Sequence, residues 1–230
     1  MLLALTLLMI REYRIAGNLK EFLKRISQRL RLHIVRKAGI LILVFLFSLT
    51  LKAQELKLNY QVIRNGDVIG KMYFQQLIQG CSTHLRVQSE VKARFILLLT
   101  IWAKEETIYR NGILIFSSIF RKLNGKEKTN RETKLEGNSY LVTKEGSAVL
   151  FNSYPIRFNL LSLYCTEPRL VSKAYADNFS EFVPVVKTGT HEYKVTLPDG
   201  SYNYYFYQDS ICTRVEVHHS LYSLQFILVR

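Results

Sequence analysis

From Gln54 onward, apolar and polar residues alternate with a period of two, a pattern that commits the chain to strands with one dry and one wet face. In LKLNYQVI, Leu56, Leu58, Tyr60 and Val62 fall on one side, and Lys57, Asn59 and Gln61 on the other. Two-residue turn signals separate such segments at Asn65-Gly66, Asn111-Gly112, Asn124-Gly125 and Asp199-Gly200. Asn, Asp and Gly tolerate the positive φ that tight hairpins require. Gly137-Asn138 and the stretch around Asp209 are further turn candidates. Turns at these spacings predict an antiparallel meander.

Two segments break the alternation. Residues Phe95 to Trp102 are nearly continuously apolar. Their β-branched and aromatic content and the hairpin that follows favour a strand over a buried helix. In PIRFNLLSLYCTEP, Asn159 is placed to cap a short helix carrying Leu160, Leu163 and Tyr164, with Pro168 ending it. So short a helix is stable only if it packs on the sheet's apolar face. The chain holds 14 Tyr and 13 Phe, and a sheet rich in aromatics has more apolar face than one helix can hide. Curling into a half-barrel or barrel would enclose it, leaving either a ligand cavity or a core filled by its own aromatics. The fold expected is therefore mainly β, an antiparallel meander curled into a half-barrel or barrel with one short helix packed on it. No Pro/Gly/Ser-rich linker divides residues 54–230, which read as one domain.

The net charge of +14 is unevenly spread. Residues 1–53 hold ten Lys/Arg against two Asp/Glu, and residues 54–230 twenty-two against sixteen. A basic balance concentrated in a leader is no footprint of nucleic-acid binding, and no nucleic-acid partner is expected. Arg36 and Lys37 precede an apolar run from Ala38 to Leu51, and Ala53 follows. These are the parts of a secretory signal peptide cut between Ala53 and Gln54. The run is shorter than the roughly 20 residues that cross a bilayer, so the mature domain is expected to be periplasmic or secreted and not membrane-spanning. Gln54 also lacks the cysteine of a lipoprotein. Upstream, Leu19, Phe22, Leu23, Ile26 and Leu30 share one face of a basic amphipathic helix. Two readings of that leader stand: a helix lying on anionic membrane, or sequence upstream of a later translation start.

The stretch LPDGSYNYYFYQDSICTRVEVHHSLYSLQFILVR is dense in groups that could form a site. Strict alternation sends Ile211, Thr213, Val215 and Val217 one way, and Cys212, Arg214, Glu216 and His218 the other. Cys212, Glu216 and His218 would then form a cluster fit for a metal or a nucleophile. The plainer reading is a wet sheet face bearing an ion pair, and that reading is preferred. Cys81, Cys165 and Cys212 sit in no CxxC or zinc spacing, and one disulfide plus a free thiol is open to them. HExxH, GxSxG, P-loop and GxGxxG motifs are absent. No catalytic residue, cofactor or metal is assigned.

Four segments, YQVIRNGDVIG, YRNGILIFSSIFRKLNGKEK, LYCTEP and the C-terminal LPDGSYNYYFYQDSICTRVEVHHSLYSLQF, together resemble an uncharacterised family of exported β-rich bacterial proteins, mostly Gram-negative. The resemblance covers nearly all of residues 56–228 and departs at Ser210, where the family pattern leads one to expect Gly. It implies export and a β fold, and it carries no functional residues. At the level of fold alone, the strands and short helix are similar to periplasmic half-barrels that carry lipoproteins or lipids.

The leading expectation is an exported, non-catalytic envelope protein that binds an apolar, lipid-like ligand in the sheet's concavity. Tyr60, Phe74, Trp102, Tyr204 and Phe226 are the inward ligand-face candidates, and Arg214, Glu216 and His218 the polar-face candidates. The alternative is an interaction or assembly factor with an envelope protein partner, using a sheet edge or charged hairpins. An enzyme acting on envelope polymers is a third reading.

Overall fold

The hairpin signals at Asn65-Gly66, Asn111-Gly112 and Asn124-Gly125 all fold as read, with both residues of each pair at positive φ. The structure, a computed structural model, describes Lys24 and residues 53–94, 98–153 and 155–229. Apart from Lys24, the expected leader helix lies outside the described residues, as do the apolar run from Ala38 to Leu51 and residues 95–97 of the Phe95–Trp102 run.

Fourteen strands are present among the described residues. The first eight are β1 (Gln54–Arg64), β2 (Asp67–Gln79), β3 (Ser82–Arg94), β4 (Leu98–Arg110), β5 (Ile113–Leu123), β6 (Lys126–Glu136), β7 (Ser139–Lys144) and β8 (Ser147–Phe151). The rest are β9 (Lys173–Ala176), β10 (Glu181–Gly189), β11 (Glu192–Thr196), β12 (Tyr202–Gln208), β13 (Ile211–His219) and β14 (Tyr222–Val229). Leu98–Arg110 is thus a strand, as its β-branched and aromatic residues suggested.

All fourteen join one sheet in the order β8-β7-β6-β5-β4-β3-β2-β1-β14-β13-β12-β11-β10-β9, every neighbouring pair antiparallel. Two meanders are joined where β1 pairs with β14, so the sequence neighbours β8 and β9 end up as the sheet's two ends. The sheet curls until those ends overlap. Tyr175 of β9 packs its ring 5.8 Å from Phe151 of β8 and places its hydroxyl 3.2 Å from Thr133 of β6. Arg131 of β6 donates to the Asn178 carbonyl and to Ser180 Oγ in the β9–β10 turn. Ala174, Tyr175 and Ala176 are accordingly buried on both faces of β9. The sheet is barrel-like but not closed.

The segment between β8 and β9 runs through the interior. It holds a single 3-10 turn, Leu160–Tyr164, in place of the expected short helix. Asn159 caps it as read, its side chain accepting from the Ser162 N–H. Five residues are too few for an α-helical hydrogen-bond ladder to gain on its nucleation cost. The turn is held by burial: Leu163 is fully buried, and Tyr207 Oη donates to its carbonyl at 2.8 Å. Leu161 joins Tyr60, Phe74, Leu85, Tyr109 and Ile156 in the larger core cluster. Glu167, next along, anchors the exit: it accepts from Arg169 Nε at 2.9 Å and Tyr193 Oη at 3.0 Å, and sits 2.9 Å from His191 Nδ1.

One turn differs from expectation. Asp199-Gly200 is not a two-residue hairpin, because only Gly200 has positive φ and β11 and β12 are joined by residues 197–201. The Asp199 carboxylate closes this longer loop, accepting from the Ser201 N–H at 3.0 Å and hydroxyl at 2.6 Å.

Candidate binding cavity

The inner face takes only part of the predicted ligand surface. Tyr60 and Phe74 are buried in the core, and Phe226 packs on it. Trp102 and Tyr204 are corrected: both lie on the outer face. Trp102 sits beside buried Ala103 in the alternation and packs against Phe120 at 5.9 Å. Tyr204 packs against Tyr202 and His218. Tyr204 is half-covered there by Lys194 Nζ, 5.6 Å from its ring and 4.3 Å from that of Tyr202.

Arg214, Glu216 and His218 do share the outer face. Arg214 Nε lies 3.4 Å and His218 Nε2 3.8 Å from the Glu216 carboxylate. Cys212 is not with them. Phe206 pairs with Arg214 while Tyr207 pairs with Cys212, so Thr213 is an extra residue in β13. This bulge reverses the alternation and turns Cys212 into the core, fully buried. Burial pushes its thiol up to about 12 and that of Cys165 up to about 11, so neither supplies a thiolate near neutral pH. The three cysteines are unpaired. Among the described residues no group of three or more His, Cys, Asp or Glu is placed to hold a metal ion. The C-terminal stretch is, on this face, a sheet with an ion pair.

The same stretch contributes its other face to a cavity. A space of about 270 Å³ opens at the end of the sheet where the β9–β10, β11–β12 and β13–β14 turns gather. Leu160, Leu161 and Tyr164 of the interior turn form one wall, and Tyr205, Val217 and Tyr222 another. Glu105 of β4 and Arg121 of β5 face inward across from them and form an ion pair, Nη2 to Oε1 at 2.6 Å. Burial works against the Arg121 charge, but the Glu105 carboxylate more than offsets this and keeps the guanidinium firmly protonated. Asp199, Ser201, Asn203 and His219 complete the polar rim. Asn203 Oδ1 is buried without a partner.

Sequence reasoning missed Glu105 and Arg121, because "KEET" reads as a solvated charged segment. The available signal was parity: Ala103, Glu105, Thr107 and Tyr109 occupy one face, and three of these four are buried. Tyr60 and Phe74 are not among this cavity's lining and sit in the larger core cluster, each 1% exposed.

Behind the cavity is a buried polar cluster. Asn159 donates to Thr107 Oγ1 at 2.8 Å and to Asp177 Oδ2 at 2.9 Å, and accepts from Tyr109 Oη at 2.9 Å. Burial, with the Ser117 hydroxyl working against it and the Glu105 charge adding to it, pushes the Asp177 carboxyl up to about 6.

This architecture defines the class: a curled antiparallel sheet, open between its end strands, with its connecting segment threaded through the interior. Its likeness to a solved structure is consistent with that. The chain is similar in fold to a β-barrel-like protein of a domain of unknown function, DUF1849, from Brucella abortus, with a TM-score of 0.52 and 10% identity over 77% of this chain and 96% of that one. At that identity the likeness is one of fold alone. The chain itself belongs to the family described as Domain of unknown function (DUF6134), which matches residues 60–229. No curated protein matches it in sequence. Among the described residues no helix is long and apolar enough to cross a membrane.

Proposed function

We propose that the protein is an exported, non-catalytic envelope protein that holds a small amphiphilic ligand in the cavity at the open end of its sheet. The observation that carries this reading is the composition of one 270 Å³ space: aliphatic and tyrosine walls on one side, an inward ion pair and an unpartnered amide oxygen on the other. A partly buried ion pair with spare hydrogen-bonding capacity beside an apolar wall suits a molecule with one polar and one apolar end. The volume lies just under the usual range for drug-sized sites, which favours a compact molecule or one end of a larger one over a whole lipid. Export rests on the basic flank, the apolar run and Ala53.

Native mass spectrometry on protein purified without detergent from its own host tests both parts. An N-terminus at Gln54 and a reproducible small-molecule adduct are expected. A bare mass in every preparation counts against a held ligand, and a retained leader counts against export.

One observation favours a second reading, a protein-binding edge. β8 is an end strand with Val149 and Leu150 each more than 60% exposed and no charged residue between Ser147 and Phe151. Natural edges are usually protected by charge or proline. Loss of a co-purifying protein in a Val149→Lys variant would support this reading, and its retention would count against it.

A further inference from the structure

We infer that the cavity's ligand carries a protonated amine at its polar end, bound at the Asp199 rim, with a hydrocarbon body against the tyrosine and leucine walls. The inference rests on the cavity being a ligand site, as proposed above.

Four lining side chains decide the local charge. Glu105 and Arg121 cancel one another across 2.6 Å. Asp199 is the surplus: hydrogen bonds from Ser201 hold its carboxyl below the usual range, so it is ionised at neutral pH. His219 is tied to its own turn, its Nδ1 accepting the Leu221 N–H at 3.2 Å. With histidine counted as neutral, the lining sums to one negative charge, although residues 54–230 carry six more Lys and Arg than Asp and Glu. The cavity thus runs against the sign of the domain around it.

The uncharged lining points the same way. Tyr164, Tyr205 and Tyr222 present aromatic rings, whose faces attract cations by about 0.5–2 kcal/mol depending on desolvation. Asn203 offers a buried carbonyl oxygen with no donor, and an ammonium supplies donors. A carboxylate ligand would meet the Asp199 charge and the negative ring faces. An alcohol would satisfy the amide but gain nothing from the surplus charge.

Calorimetric titration of the full-length protein with hexylammonium, hexanol and hexanoate at neutral pH and low salt separates the outcomes. Hexylammonium is expected to bind about fivefold or more tighter than hexanol, the equivalent of about 1 kcal/mol, with hexanoate weakest. In Asp199→Asn, which keeps the acceptor that Ser201 needs, the amine should fall to the affinity of the alcohol while the alcohol is unchanged. Equal binding of amine and alcohol, tightest binding of hexanoate, or an amine preference that survives Asp199→Asn would overturn the amine assignment while leaving the cavity as a ligand site. Absence of binding by all three would overturn both.

Discussion

Asp177 and Glu167 are buried carboxylates that respond to pH with opposite signs. Asp177 is raised from its ordinary 3.8 to about 6, foremost by burial, so the folded state holds its proton better than the unfolded chain does. Its contribution to stability is full below pH 3.8, declines as pH rises, and is gone above about 6. The shift corresponds to on the order of 3 kcal/mol between those limits. Glu167 runs the other way. Burial opposes its charge, but Arg169, His191 and Tyr193 more than offset this and hold its carboxyl below the usual range. Its contribution is present at neutral pH and fades only as pH falls through the lowered folded value. Asp177→Asn should therefore melt higher than the wild type at pH 7 and lose the wild type's decline between pH 4 and 6. The amide oxygen can keep the Asn159 hydrogen bond, and the new N–H₂ can donate to the Ser117 hydroxyl that acts on the carboxyl in the wild type. Parallel pH profiles for the two proteins would show that Asp177 is not the titrating group.

At the scale of elements, the turn at Asp209-Ser210 differs from the three Asn-Gly hairpins in its second residue. Both residues hold positive φ, 52° and 65°, yet the second is Ser where Asn65-Gly66, Asn111-Gly112 and Asn124-Gly125 have Gly. A side chain in the left-handed region costs roughly 1–2 kcal/mol relative to Gly. Ser210→Gly should therefore raise stability by about 1 kcal/mol, after allowing for glycine's greater freedom when unfolded, with thermal melting as the readout. A lower melting temperature would mean that the serine is held by contacts worth more than the strain. Turns and strands of this kind were legible in the sequence because their chemistry is local. The facing of side chains was less so, for three physical reasons. The bulge at Thr213 changes parity without a sequence marker and carries Cys212 inside. Cations laid over rings let Tyr204 and Trp102's neighbour Phe120 stay outside half-covered, with Lys194 and Lys122 across them. Thr107, Ser117 and Thr133 are buried although polar, because the interior segment brings the Asn159 and Asp177 cluster against Thr107 and Ser117, and β9 brings the Tyr175 hydroxyl against Thr133. The cavity's Glu105 and Arg121 fell to the same ambiguity.

For the whole molecule, the decisive fact is that the two ends of the sheet meet without pairing. β8 and β9 are consecutive in sequence and terminal in the sheet, and the curl is held by side chains where a closed barrel would use backbone hydrogen bonds. Arg131 spans that overlap, reaching from β6 to the Asn178 carbonyl and Ser180 Oγ, while Thr133 and Phe151 bear on Tyr175. Charge-assisted hydrogen bonds of this kind are worth roughly 1.5–3 kcal/mol, so Arg131→Ala should lower stability by about that much. The loss should also be local. β1 and β2 are tied to both neighbours by long ladders, whereas β9 has one four-residue strand partner and, on its other edge, only a bridge to Asn159 with the Tyr175 N–H donating to the Phe158 carbonyl. Hydrogen–deuterium exchange in Arg131→Ala should therefore rise at residues 173–176 and stay near wild-type values at residues 56–62. The cavity depends on the same overlap, since Asn178 and Phe179 line it and follow β9 directly. Binding of any ligand there should weaken in this variant and should in turn protect residues 173–176 in the wild type. A uniform rise in exchange along the chain would mean that Arg131 supports the sheet as a whole and not its closure.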